Sequence, residues 1–167
     1  MDGTPDVVRQ VFATDARVRL ISMPNGGKAA ALNRGLSEAR GDVVVALDAD
    51  THFPRDSVSK LVRWLADPTV GAVAGNAKVG NRINVMTRWQ ALEYVTSQNL
   101  ERWALATLGC ITVVPGALGA WRREALLKLG GFPSDTLAED QDLTLALFKH
   151  GYKVAVRQHR HRLDRSA

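Results

Sequence analysis

The sequence predicts a single α/β domain built on a parallel sheet, and three observations carry that prediction. Short strand-like runs alternate with helix-length segments, the arrangement of βαβ crossovers. One run, Val43 to Leu47, is apolar without alternation, as expected of a strand covered on both faces. The chain has 167 residues with ordinary hydrophobic and charged fractions, which suits one core and excludes disordered, collagenous and disulfide-stapled classes.

Each element has a local reason. Thr4 followed by Pro5 is a cap and then a proline in the first turn, so a helix is expected from Pro5 to about Ala13, with Val7, Val8 and Val11 as its apolar stripe. Arg17 to Ser22 alternates before turning apolar and predicts a short strand, and Pro24-Asn25-Gly26-Gly27 predicts a turn. Lys28 to Ala39 is alanine-rich and precedes Gly41, which predicts a second helix. After the Val43 to Leu47 strand, Pro54 opens a helix carrying Val58, Leu61, Val62 and Leu65, and Val70 to Ala74 is a further strand. A long helix is expected from beyond Asn84 to about Ala106, then a strand at Ile111 to Val114 and a short helix at Arg123 to Leu129 ended by Gly130 and Gly131. A helix from Asp140 to Lys149 ended by Gly151, and a last strand from Lys153 to Val156, complete the reading. No internal repeat or low-complexity segment is present.

A net charge of +5 invites a polyanionic partner, but its distribution does not support one. Six of the twenty-two basic residues and one of the seventeen acidic residues lie from Lys149 onward, so the body is neutral and the excess sits in the tail. Aromatic residues are scarce among the basic ones, which argues against a nucleic-acid-binding protein. A single cysteine, Cys110, fits a reducing environment. The polar N-terminus lacks the apolar core of a secretory leader. The charge-free run from Ala104 to Trp121 has the minimum length of a membrane span, yet Gly109, Pro115, Gly116 and Gly119 interrupt it and a span is not expected.

In open α/β sheets, ligands sit outside the carboxyl ends of the strands. Asp48 and Asp50 follow the most hydrophobic strand, where two hard oxygen donors suit a divalent ion that shares its shell with a diphosphate; the alternative is an ordinary turn or cap pair. Lys28 follows Asn25-Gly26-Gly27 at a helix start, where it could meet phosphates, or simply begin a solvated helix. It is not part of a Walker A loop, because residue 29 is alanine and the upstream glycine is missing. Glu139, Asp140 and Asp142 precede an apolar helix and stabilise its N-terminus whatever else they do, while Asp140 is the candidate general base. His159 and His161 lack further ligands for a metal.

Taken together, Asn25-Gly26-Gly27-Lys28-Ala29-Ala30-Ala31-Leu32-Asn33, Ala46-Leu47-Asp48-Ala49-Asp50, Gly75-Asn76, Pro115 through Arg123 and Ala138-Glu139-Asp140 stand in an order and spacing that resembles family 2 glycosyltransferases. The processive membrane branch is the most similar, comprising poly-N-acetylglucosamine, chitin-oligosaccharide, hyaluronan and cellulose synthases. Residues Gly80 to Asn84 and Thr87 to Tyr94 resemble the N-acetylglucosamine polymerisers in particular. The resemblance implies a GT-A, Rossmann-like fold, here incomplete at the N-terminal strand, spanning residues 1–156, with 157–167 a basic tail unlike the family.

It also implies an inverting transfer of a sugar, N-acetylglucosamine first, from a UDP-sugar to a growing polysaccharide, with Mg2+ or Mn2+. Carried over by position, Lys28 and Asp48 hold the nucleotide, Asp50 the metal, Asp140 is the catalytic base, and Glu139 and Gly116 line the acceptor path. Trp89 and Trp121 are either stacking platforms or packed side chains. The family's Asp-Asp-Gly-Ser strand and Gln-x-x-Arg-Trp motif are not found, so the chain is expected to be an internal piece of a synthase. Its parent would work at the cytoplasmic face of a membrane, which it reaches only through segments outside this chain. The alternatives are a non-catalytic remnant that binds nucleotide or a partner chain, and a sugar-nucleotide pyrophosphorylase, whose glycine-rich phosphate loop is not found.

Overall fold

The computed structural model describes residues 3–49, 51–75, 113–115, 118–134, 136 and 138–156. Along the chain lie α1 (Thr4–Val11), α2 (Gly27–Glu38), β1 (Val43–Leu47) and α3 (Ser57–Val62), which tightens into a 3-10 turn at Arg63–Ala66. Then follow β2 (Val70–Ala74), β3 (Leu118–Arg122), α4 (Arg123–Lys128), α5 (Glu139–Lys149) and β4 (Lys153–Val156). Among the described residues the strands form one sheet in the order β1-β3-β2-β4.

The sheet is mixed rather than wholly parallel. β3 runs antiparallel to both neighbours, pairing Val43 with Arg122 and Leu47 with Leu118 on one side, and Ala72 with Trp121 and Ala74 with Gly119 on the other. β1 and β2 are therefore parallel to each other but separated by β3, while β2 and β4 pair directly in parallel. The register of β2 on β4 shifts between Val70 and Ala72. That bulge lets Val70 join Val73 on one face although the strand's simple alternation would put it on the face of Ala72 and Ala74. Gly71 sits in the bulge because a Cβ there would stand 2.7 Å from the Tyr152 Cβ.

Both faces are covered. Leu36 of α2, Leu126 of α4, and Leu143 and Leu147 of α5 pack with Ala46, Ala72, Ala74, Trp121 and Phe132 on one face. Leu61 and Leu65 pack with Val70, Val73, Leu118 and Ala120 on the other. Arg122 ties the second layer down: its guanidinium donates to the carbonyls of Leu65 (2.7 Å) and Asp67 (2.9 Å) at the end of the 3-10 turn and to that of Val70 (3.2 Å) at the start of β2.

Two expectations are corrected. The Arg17 to Ser22 segment is not a strand; no described strand flanks β1 on its outer side, and a strand needs a neighbour to satisfy its backbone groups. Among the described strands β1 is therefore an edge: Val44 and Ala46 pack into one core cluster and Val43 and Val45 against the other, so both faces are covered as expected, but only Ala46 is fully buried and Leu47 is exposed. The first helix ends at Val11 and buries none of its residues, so Val7 and Val11 face solvent and its apolar stripe has no seat.

The strand expected at Ile111 to Val114 falls partly outside the described residues, and Val113 to Pro115 is irregular. A strand that was not expected lies at Leu118–Arg122. Gly119 interrupts the charge-free run in the sequence, yet a glycine is what this position requires: the Trp121 ring folds over it, and a Cβ there would stand 2.2 Å from the indole. Leu118 to Trp121, the end of the charge-free run, is thus strand, and no described helix is long and apolar enough to cross a membrane. The long helix expected before Ala106 lies outside the described residues.

Candidate functional site

The site is built at the carboxyl end of β1. Asn25 Oδ1 accepts the Gly27 N–H at 3.2 Å, and Gly27 takes φ +83°, so the predicted turn delivers the chain into α2 with Lys28 in its first turn. Asp48 follows β1 directly, and the Thr51 N–H returns to its carbonyl at 3.2 Å, closing a turn. Lys28 Nζ stands 3.0 Å from Asp48 Oδ1, and the two side chains remain 43% and 37% exposed. An ion pair this open contributes little to folding, about 1 kcal/mol at most. Its place at the strand end makes it available to a ligand.

α5 brings the acidic cluster toward the same edge. The helix enters β4 through Gly151 at φ +81°, with the Tyr152 N–H bonded to Leu147 O at 3.0 Å, so helix and strand run in opposite directions. The first turn of α5, with Glu139 and Asp140 both half-buried, therefore lies toward the carboxyl ends of β4 and its parallel neighbour β2. Ala138 O accepts the N–H groups of Gln141 and Asp142, each at 3.0 Å.

Thr144, which carried no signal in the sequence, is buried here. It donates to Asp140 O at 2.7 Å and accepts the Val114 N–H at 3.0 Å, joining the turn that bears Asp140 to the segment before Pro115. Leu118 N–H returns to Pro115 O at 3.3 Å, and Gly75 N–H extends the β2–β3 ladder to Leu118 O at 2.9 Å. Gly75 has no room for a Cβ against Leu118.

The structure thus brings Lys28 and Asp48 into contact and sets Glu139 and Asp140 on the helix turn facing that edge. Asp50, Gly116 and Trp89 lie outside the described residues. Trp121 is 1% exposed and meets Phe132 edge-on at 5.5 Å and 81°, so it packs in the core and is no platform for a sugar.

Asp48 offers a hard carboxylate oxygen at the mouth of the site, and no group of three or more His, Cys, Asp or Glu side chains among the described residues could enclose a metal. That donor chemistry fits Mg2+ or Mn2+, which bind through one or two carboxylates and fill their shells with water and phosphate. It does not fit a closed structural zinc site.

Against known proteins, residues 1–129 match the model of the family described as Glycosyl transferase family 2. A mixed sheet with helices packed on both of its faces defines an α/β domain. The chain belongs to glycosyl transferase family 2.

It is 33% identical over 159 residues to a beta-monoglucosyldiacylglycerol synthase of Synechocystis sp., covering 93% of this chain and 33% of the relative. It is 26% identical over 154 residues to a poly-beta-1,6-N-acetyl-D-glucosamine synthase of Staphylococcus aureus, covering 92% of this chain and 37% of that one. The chain therefore spans about a third of the length of these relatives. Among solved structures, a mannosyltransferase from Pyrobaculum calidifontis in complex with GDP-Man and Mn2+ superposes with a TM-score of 0.73 at 32% identity, over 95% of this chain and 43% of that one. The GT-A fold expected from the resemblance is the fold observed, in the part of the sheet described.

Proposed function

We propose that this chain carries the catalytic part of an inverting glycosyltransferase that moves N-acetylglucosamine from a UDP-sugar to a hydroxyl of a growing polysaccharide. The observation that carries the reading is the Lys28–Asp48 pair at the carboxyl end of β1, in a fold shared with a transferase in complex with GDP-Man and Mn2+. The donor sugar follows the poly-beta-1,6-N-acetyl-D-glucosamine synthase relative and the resemblance of Gly80 to Asn84 and Thr87 to Tyr94.

In this reading Lys28 and Asp48 hold the nucleotide, and Lys28 leaves its carboxylate partner to face the diphosphate. Asp50, with Asp48 beside it, holds the divalent ion. When bound, Mg2+ or Mn2+ neutralises the charge that develops on the departing diphosphate. Asp140 takes the proton of the acceptor hydroxyl while that oxygen forms its bond to the anomeric carbon and the carbon–oxygen bond to the diphosphate breaks, inverting the configuration. Glu139 and Gly116 line the acceptor path. Thr144 holds the Asp140 turn against the Val114 segment, which keeps the base in place without adding to the chemistry.

Calorimetric titration with UDP and with GDP in Mn2+ or Mg2+, followed by transfer from UDP-N-acetylglucosamine to N-acetylglucosamine oligomers, tests the reading. Metal-dependent UDP binding is expected, together with transfer that Asp140→Asn lowers by about 100-fold or more while leaving UDP affinity in place. UDP binding without transfer would favour a nucleotide-binding remnant. Absence of metal-dependent nucleotide binding would overturn the function altogether.

A further inference from the structure

We propose that Asn33 is a positioning residue: by clasping the backbone of Phe132 it sets helix α2 so that Lys28 meets Asp48. The proposal rests on the reading of Lys28 and Asp48 as the nucleotide-holding pair. α2 is thinly anchored by apolar packing. Leu36 is its one buried residue, and Ala29 and Leu32 are only partly covered. Small, half-covered contacts of this kind leave a helix free to slide and roll on a sheet.

Asn33 supplies what the packing lacks. Its Nδ2 donates to Phe132 O at 2.8 Å and its Oδ1 accepts the Phe132 N–H at 2.7 Å, so one amide pairs with both backbone groups of one residue, 99 positions away. Two bonds in one plane fix rotation as well as translation, as a single bond does not.

The receiving backbone is shaped for this partner. The N–H groups of Leu129, Gly130 and Gly131 all turn back to carbonyls of α4, with Gly131 N–H reaching Leu126 O at 2.9 Å, and Phe132 is the first residue whose N–H is left for another element. Gly130 and Gly131 take φ +83° and +95° to make that turn. Gly131 is also the point of closest approach, because a Cβ there would overlap Asn33 Oδ1. Asn33 and Gly131 are thus a matched pair, one filling the space the other leaves.

The clasp is connected to Asp48 through the core. The Phe132 and Trp121 rings meet at a near-perpendicular angle, and Trp121 stands opposite Val44 in the β1–β3 register, Val44 being on the strand that Asp48 follows. Asn33 is less than two helical turns from Lys28 on α2. The path from Lys28 along α2 to Asn33, across to Phe132 and Trp121, and along β1 to Asp48 closes on the 3.0 Å ion pair.

The test compares Asn33→Ala, the isosteric Asn33→Asp and the packing variant Leu36→Ala in the full chain. The Asp variant keeps an acceptor for the Phe132 N–H but sets an oxygen against its carbonyl. Two readouts are taken: calorimetric affinity for Mn2+–UDP, and the NMR signal of Lys28 after 13C reductive methylation, which keeps its charge and requires no nucleotide. Asp48→Asn fixes the position of an unpaired Lys28 signal.

Both Asn33 variants are expected to move the Lys28 signal toward the Asp48→Asn position and to weaken Mn2+–UDP binding on the order of tenfold. Leu36→Ala lowers the melting temperature but keeps the wild-type signal and affinity. The proposal is overturned if the Asn33 variants keep the wild-type Lys28 signal, or if Leu36→Ala moves it equally. Failure of the wild type to bind Mn2+–UDP would count against the proposed function, and the Lys28 signal would still decide the role of Asn33.

Discussion

Replacing Thr144 by valine keeps the shape of a buried side chain and removes one oxygen. That oxygen is 1% exposed with its residue, accepts the Val114 N–H at 3.0 Å and donates to Asp140 O at 2.7 Å. Asp140 O lies within a helix and keeps its place in the helical ladder, so the main loss is at Val114, itself 1% exposed, whose N–H is left buried without an acceptor. An orphaned buried donor costs about 1–3 kcal/mol. For a domain of this size each kcal/mol moves the melting temperature by about 2–4 °C, so a loss near 2 kcal/mol predicts a fall of about 4–8 °C.

Thr144→Ser is the control. It keeps both hydrogen bonds and gives up a buried methyl, about 0.8 kcal/mol. Thermal and urea unfolding of the two variants should rank serine above valine. A valine variant as stable as the serine variant would refute the claim that this hydroxyl, and not the packing of its methyl, joins the Asp140 turn to the Val114 segment.

Gly119→Ala should destabilise by about 1–3 kcal/mol or prevent folding, because the new Cβ enters the space of the Trp121 ring; urea midpoints measure it, and a neutral outcome would show that the indole can move aside. Asp67 is held below the ordinary carboxylate range, first by the backbone N–H of Thr69 and then by its hydroxyl, both at 2.8 Å from Oδ1. A lowered native pKa favours the ionised form on folding, so its contribution is present at neutral pH and lost as pH falls through the native value. Asp67→Ala should therefore be less stable than wild type at pH 7, with a deficit that shrinks below about pH 4 in urea titrations run as a function of pH.

Elements whose residues announce themselves locally were readable in the sequence. Val43 to Leu47 and Val70 to Ala74 are β-rich runs, α4 ends on Gly130-Gly131, and α5 ends before Gly151; each is found where its residues place it, within a residue or two. β3 was not readable, because Leu-Gly-Ala-Trp-Arg carries no β-branched residue and is a strand only because two neighbours pair with it. Arg17 to Ser22 fails in the opposite sense, having the pattern of a strand and no partner.

The site divides likewise. Lys28 and Asp48 were legible from their turn and strand end, and twenty positions apart they meet at 3.0 Å. Thr144 and the bonds of Asn33 to Phe132 were not legible as contacts. A hydroxyl that joins two elements, and an amide that meets backbone 99 residues away, leave no period or spacing to detect.

The antiparallel strand at the centre of the sheet sets an order for folding. β1 and β2 are complete once residue 74 has been made, yet each pairs with β3, and Val43 finds its partner only at Arg122. Pairings between residues so far apart in sequence form late, after the loop-closure entropy has been met. During synthesis the first half of the domain therefore waits with its strand edges open. A cut of the chain between β2 and β3 should yield two pieces that fold only in each other's presence, with β3 inserting as a wedge between strands already made.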